Sequence, residues 1–219
     1  MAPNIEAPVT SADKVFLQMR SDIVEGEIPA GSKLSEAELA NRYEVSRAVI
    51  REAINRLQAN HLVERRANVG AKVIQLTQNG LIQLYQVRES LEGMAARLAA
   101  DNMADEEIVN LRALLDTHSE RVEQDETYYQ EAGDVDFHYR IIKGSKNQQL
   151  IHLLVNGLYH LVRMYRVQFG MSGPRVTTAL SEHRHIVAAI ANRDGELAEI
   201  LMRRHIHYSK NHIAAKLTP

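Results

Sequence analysis

The 219-residue chain contains no cysteine, which rules out disulfides and thiolate metal ligands and suits a reducing cytoplasm. It also lacks an apolar run long enough to span a bilayer. Residues Met1 to Thr10 hold two prolines and no cationic stretch leading into an apolar one, so they read as a flexible tail rather than a secretion leader. No internal repeat is present. Neither sign of charge dominates: 26 Lys and Arg face 28 Asp and Glu, for a net charge of −2. Such a chain does not coat nucleic acid indiscriminately, and any binding to it must come from one local basic surface. The length suffices for one large or two small domains with real cores.

What is present is concentrated first between Leu34 and Ile74. Ser35, with Glu38 three residues on, has the pattern of a capping box and opens a short helix carrying Leu39 and Ala40. The period breaks at Tyr43-Glu44-Val45. Ser46 then caps a second helix whose core face is Val49, Ile50, Ala53, Ile54 and Leu57. Its opposite face carries Arg47, Arg51 and, further along, Arg56. Two short strands follow, within Leu62 to Arg66 and Ala71 to Ile74, around a turn that ends at Gly70. Six arginines against three glutamates between Arg42 and Arg66 give this segment a basic surface. Exposed arginines on one helix can be merely solvated. Helix, turn, helix and basic wing together instead predict a winged helix-turn-helix that reads the major groove. A helix over about Ser11 to Glu25 packs behind it through Val15, Met19, Ile23 and Val24.

From Leu81 onward the period is helical, with breaks that divide six helices: about 80–102, 105–124, 127–143, 147–169, 174–192 and 195–213. The predicted fold is mainly α, an N-terminal winged helix-turn-helix followed by an all-helical bundle of about six helices. The predicted divisions are a tail over 1–10, a DNA-binding domain over 11–76, a linker over 77–80 and a helical domain over 81–219.

Within the bundle, Asp134 and His138 are four residues apart on one face with Ile141. His183 lies on the stripe Val176, Leu180, Val187 and Ile190, whereas His185 falls on the wetter side. His205 continues Leu197 and Leu201. Burying a carboxylate and three imidazoles among aliphatic groups is unfavourable unless their lone pairs are used, and a divalent cation uses all four. The alternative is a set of core histidines hydrogen-bonded to backbone or to Asp134. Arg88 shares the stripe of Leu81, Leu84, Leu91 and Ala95, where it needs either Glu92 one turn away or a ligand carboxylate held by its guanidinium fork.

These motifs resemble the GntR family of bacterial transcription regulators. Ser35-Glu36-Glu38-Leu39-Ala40, Val45-Ser46-Arg47, Arg51-Glu52-Ala53-Ile54, Leu57, Leu62 to Arg66, Gly70 and Val73 carry the likeness. Ala37, Ala48-Val49-Ile50 and Asn68-Val69 depart from the usual pattern, so the operator need not follow the family consensus. The second half resembles the FCD ligand-binding domain of the FadR subgroup, in its shorter VanR-type form. The matching segments are Val87 to Glu92 with Ala95 to Ala100, Asp134 to His138 with Ser145 and Asn147, Glu182-His183 with Ile186 and Ala189-Ile190, and Asp194 with Ala198, Met202 and His205-Ile206.

The resemblance implies a dimeric, cytoplasmic regulator, a repressor rather than an enzyme, acting on palindromic double-stranded DNA. Ser35, Ser46, Arg47, Ala48, Arg51, Arg65, Arg66, Asn68 and Gly70 are the candidate DNA contacts. Asp134, His138, His183 and His205 are the candidate ligands of a divalent metal, with zinc, nickel and manganese all compatible with three nitrogens and one oxygen. Arg88 is the candidate for a small carboxylate effector. Two readings compete with an acid effector: the metal as the signal itself, and a metal-dependent enzyme, against which no second inward carboxylate or nucleophile falls in a recognisable catalytic pattern.

Overall fold

The computed structural model describes residues 10–66, 70–125, 136–169 and 174–217. The chain forms two compact units, Met1–Gln75 and Leu76–Pro219.

In the first unit, α1 (Ser11–Glu25) starts at Thr10, whose hydroxyl accepts from the Asp13 amide while Asp13 returns a bond to the Thr10 amide. Gly26, at φ 89°, ends it in a left-handed turn that residues with a Cβ adopt at a cost. Helix α2 (Glu36–Arg42) is capped by the Ser35 hydroxyl, which accepts from the Glu38 amide; the reciprocal box predicted here is formed at Thr10 and Asp13 instead. Glu44, at φ 55°, makes the tight corner. Helix α3 (Arg47–Ala59) follows its Ser46 cap and buries Ile50, Ala53, Ile54 and Leu57, mainly against α1. Strands β1 (Val63–Arg66) and β2 (Gly70–Val73) pair antiparallel from Val63↔Val73 to Arg66↔Gly70, and a bridge from Lys33 to Lys72 widens the wing.

A buried carboxylate that the sequence reading did not single out ties the helices together. Asp22 on α1 accepts from Gln18, from Arg42 Nη2 at 3.0 Å and from the Tyr43 hydroxyl at 2.6 Å. Arg56 also departs from expectation. It packs over the Phe16 ring and bonds Asp13 at 2.8 Å, so it faces α1 and not the surface carrying Arg47. The reason is helical phase: nine residues at 100° each place it on the other side.

The second unit is built on α4 (Gln78–Asn102), which begins at the second residue of the predicted linker because Thr77 caps it. Around α4 lie α6 (Phe137–Gly144), α9 (Pro174–Ala191) and α10 (Gly195–Ala214), and α5 (Asp105–Asp125) packs on α9 and α6. The α4–α10 pairing is the most extensive, and the small residues Ala95, Ala96, Ala99 and Ala100 on α4 are all buried. The predicted helix over 147–169 is three successive segments: α7 (Gln148–Ile151), a π-helical stretch π1 (His152–Leu158) and α8 (Tyr159–Phe169). A wider turn rotates everything beyond it, and on α8 Tyr159, His160, Val162, Arg163, Met164 and Tyr165 are buried. Among the described residues no helix is long and apolar enough to cross a membrane.

Candidate functional site

In the first unit the α3 N-terminus and the wing carry the candidate DNA contacts. Arg47, Ala48, Arg51, Arg65 and Gly70 are exposed, as is Ser46; Ser35 is half-buried. The two serine hydroxyls are engaged as helix caps. Arg66 lies on β1 opposite Gly70, and Asn68 is outside the described residues. Arg51 grips Glu36 bidentately, at 3.1 Å from Nε and 2.7 Å from Nη2. The Arg51 hydrogen bonds hold the Glu36 carboxyl below its ordinary range, with Arg65 and Arg47 adding to the effect. Three guanidiniums therefore act on one half-buried carboxylate, leaving an excess of positive charge on this face.

In the second unit, α6, α9 and α10 deliver His138, His183 and His205 to one buried point. His183 Nε2 is 3.1 Å from His205 Nε2, which is 3.2 Å from His138 Nε2. Phe137 stacks on the His183 ring at 3.9 Å between centroids and restricts it. On α10 the inward stripe is Ala198, Met202, His205, Ile206, Ser209 and Ile213, not the predicted Leu197 and Leu201; Leu197 is 44% exposed. His185 is exposed, as predicted from its phase, and so is His207. Asp134 is outside the described residues.

The outer nitrogens of two rings face carboxylates. His138 Nδ1 is 2.7 Å from Glu92 Oε2, and His205 Nδ1 is 2.7 Å from Glu182 Oε2. An ionised carboxylate only accepts, so each Nδ1 donates, and a ring that carries its single proton there turns an Nε2 lone pair toward the shared point. Burial pushes His205 down to about 3 against the opposing bond from Glu182, and burial, then His205 and His138, push His183 well below its ordinary range. Neutral rings with facing lone pairs at this separation repel unless something positive lies between them. The donor set fits a divalent cation, for which buried nitrogen ligands with carboxylates behind them are a standard arrangement.

Arg88 is buried, with 2% of its surface exposed, and its partner is the nearby residue Glu92: Nε meets Oε1 at 2.7 Å. Its guanidinium also lies 4.5 Å from the Tyr85 ring centroid. Burial alone would raise Glu92, but Arg88 and His138 outweigh it and keep the carboxyl well below its ordinary range. Two cavities of about 10 Å³ each adjoin Arg88 and His138, room for about one water molecule apiece. Arg166 lines both and bonds Asp136 at 3.0 Å; Asp136, fully buried, caps α6 by accepting from the His138 and Tyr139 amides. The sequence alone names Glu92 only as a possible partner of Arg88 and does not single out Asp136 or Arg166 or give Glu182 a role. Glu182 had a visible signal, since it immediately precedes His183 in the quoted motif.

A winged helix-turn-helix followed by a helical bundle with a buried imidazole cluster defines a class of two-unit DNA-binding proteins. The chain belongs to the GntR family of bacterial regulatory proteins, whose model matches residues 11–73, and carries an FCD domain over 83–208. It is 31% identical over 198 residues, 90% of this chain and 85% of the other, to a protein named as a probable D-xylose utilization operon transcriptional repressor of Paenarthrobacter nicotinovorans. It is 33% identical over 181 residues, 80% of this chain and 81% of the other, to the Nta operon transcriptional regulator of Aminobacter aminovorans. Among solved structures it is similar in fold to E. coli McbR/YncC, with a TM-score of 0.76, 17% identity and coverage of 96% of this chain and 100% of that one. A GntR regulator from Rhodococcus sp. RHA1 matches with a TM-score of 0.73, 21% identity and coverage of 93% and 97%. The protein is a DNA-binding transcriptional regulator.

Proposed function

We propose that the protein is a homodimeric repressor working in the cytoplasm, released from a palindromic operator by a small organic acid bound beside a divalent metal. The observation that carries this reading is the convergence of three buried Nε2 atoms from three helices on one point next to a buried arginine. His138, His183 and His205, with Asp134, hold zinc, nickel or manganese, which supplies Lewis acidity and open positions for an oxygen ligand. Arg88 presents its remaining guanidinium edge to the acid's carboxylate. Residues 11–76 bind DNA through Arg47, Arg51, Arg65, Arg66 and their neighbours Ser35, Ser46, Ala48, Asn68 and Gly70, and residues 81–219 bind the effector and dimerise. Operator half-sites lie about one helical turn apart or a multiple of it, so a small change in the spacing of two winged helices releases one half of the grip.

A second reading takes the metal itself as the signal. The small cavities beside Arg88 favour it, because an organic acid needs local opening to enter. Gel-shift titration against the promoter beside the gene, with and without chelator and with small hydroxy and sugar acids, separates the two. Dissociation that needs an acid supports the effector reading; a switch by metal alone replaces it. His183→Ala is expected to abolish metal retention in native mass spectrometry. Undiminished metal in that variant refutes the ligand assignment.

A further inference from the structure

Two chains of the same construction run outward from the histidine cluster. In the first, Glu92 Oε2 meets His138 Nδ1 at 2.7 Å while Oε1 meets Arg88 Nε at 2.7 Å. In the second, Glu182 Oε2 meets His205 Nδ1 at 2.7 Å and Arg175 Nη2 at 2.8 Å. The Arg88 chain is the more deeply enclosed, with side-chain exposures of 2% for Arg88, 5% for Glu92 and 7% for His138.

We propose that Glu92 is a positioning residue serving both halves of the site: one oxygen holds the Arg88 guanidinium, and the other fixes the Nδ1–H tautomer of His138. Metal binding and anion capture then depend on the same carboxylate. This inference rests on the metal-and-acid reading above and adds the element that joins its two parts.

The physical case is one of satisfiability. Arg88 Nε is a donor and cannot accept, and with the metal on Nε2 the His138 Nδ1 must donate as well. A residue between two donors has to accept on both sides, and only a carboxylate among side chains of this length offers two oxygens. A glutamine of the same shape has one oxygen and one amide NH2. If its NH2 faces His138, Nδ1 must accept and the proton moves to Nε2, where the metal needs a lone pair. If its NH2 faces Arg88, two donors are opposed in a buried place. Since Arg88 Nε is occupied by Glu92, the guanidinium is held at one edge and its other nitrogens are presented with a fixed orientation.

The competing account is that Glu92 only neutralises a buried arginine, which by itself makes it necessary for folding. Four proteins separate the two: wild type, Glu92→Gln, Arg88→Met, and a double variant in which Arg88→Met is joined by Glu92→Met, so that His138 Nδ1 faces no acceptor at position 92. Each is purified at full length, stripped with chelator, and titrated with zinc against a competing chromophoric chelator; folding is checked by thermal melting of the metal-free form. We expect Glu92→Gln to weaken zinc binding by about 10- to 100-fold, the range seen when carboxylates behind metal-bound histidines are removed. The double variant has no buried charge left to neutralise at this position. If Glu92 positions His138, the double variant stays weakened by at least about tenfold even where its melting temperature returns to that of wild type. Zinc affinity in the double variant equal to wild type overturns the proposal, and because that variant removes the charge pair it remains informative should Glu92→Gln fail to fold. Nitrogen NMR of the imidazoles gives a second readout. The Nδ1–H form of His138 is expected in wild type and Arg88→Met, and its persistence in the double variant, where position 92 offers no acceptor, also overturns the proposal. Absence of zinc binding by wild type would strike the metal reading itself, a result distinct from either outcome above.

Discussion

Glu36 illustrates how a single carboxylate can set the strength of a nucleic-acid surface. It stands among Arg47, Arg51 and Arg65 and is held by Arg51 in a bidentate pair. Arg51 is 57% exposed in that pair, and exposed pairs are worth roughly 0 to 1 kcal/mol, so a phosphate competes for the guanidinium with little opposition. Replacing Glu36 by Gln removes one negative charge from the face proposed to meet DNA and frees Arg51. The expected result is several-fold tighter binding to non-specific duplex, with a steeper fall in affinity as salt rises because one more phosphate is neutralised per subunit. A gel-shift salt titration of Glu36→Gln beside wild type measures both quantities. Unchanged non-specific affinity would mean that Arg51 does not reach phosphate. Arg56 bears no such role, because it is spent on Asp13 and the Phe16 ring.

At the level of elements, the helix boundaries were readable because they are written in local chemistry. Ser46 sits at the start of α3 with its hydroxyl on the Val49 amide, and Asp194 does the same for Leu197 at the start of α10. Ser46→Ala removes an exposed cap, with an expected loss of about 1 kcal/mol from the first unit. Urea unfolding of the full chain, followed by probes in each unit, should show the change in the first unit alone. What was not readable depends on partners distant in sequence. The inward stripe of α10 was misassigned because leucine type suggested burial at Leu197 and Leu201, whereas the neighbour is the small-residue face of α4 and takes Ala198 and Met202. The π-helical stretch carries no single residue that announces it. Likewise, the bonds from Glu92 to α6 and from Glu182 to α10 span 46 and 23 residues. Helical phase placed His138, His183 and His205 inward, but no periodicity could say that three helices bring His205 Nε2 to 3.1 Å from that of His183 and 3.2 Å from that of His138.

For the whole molecule, the uneven distribution of buried histidine predicts that the two units respond differently to acid. His61 is the sole histidine of the first unit and is exposed. The second unit buries His183 and His205, whose folded forms resist protonation: His205 is pushed down to about 3 and His183 well below the ordinary 6.5. In the unfolded chain both take up a proton as pH falls through about 6.5, and in the folded chain they do not. Stability contributed by these groups is therefore complete above pH 6.5 and lost progressively below it, by about 1.4 kcal/mol per group per pH unit while the folded form stays neutral. Glu92 adds to the loss only below about 4.5, where its unfolded form becomes protonated but its folded form does not. Between pH 7.5 and 5.5 the metal-free second unit should thus lose roughly 2 to 3 kcal/mol, while the first unit has no buried histidine to impose the same loss. Denaturant titrations of chelator-treated protein at the two pH values, with separate probes in each unit, test this. Equal shifts in both units, or no shift in the second, would require His183 and His205 to be protonated in the folded metal-free protein. Added metal should stabilise the second unit more at pH 7.5 than at 5.5 and so widen the difference between them, because protons and the cation compete for the same three nitrogens.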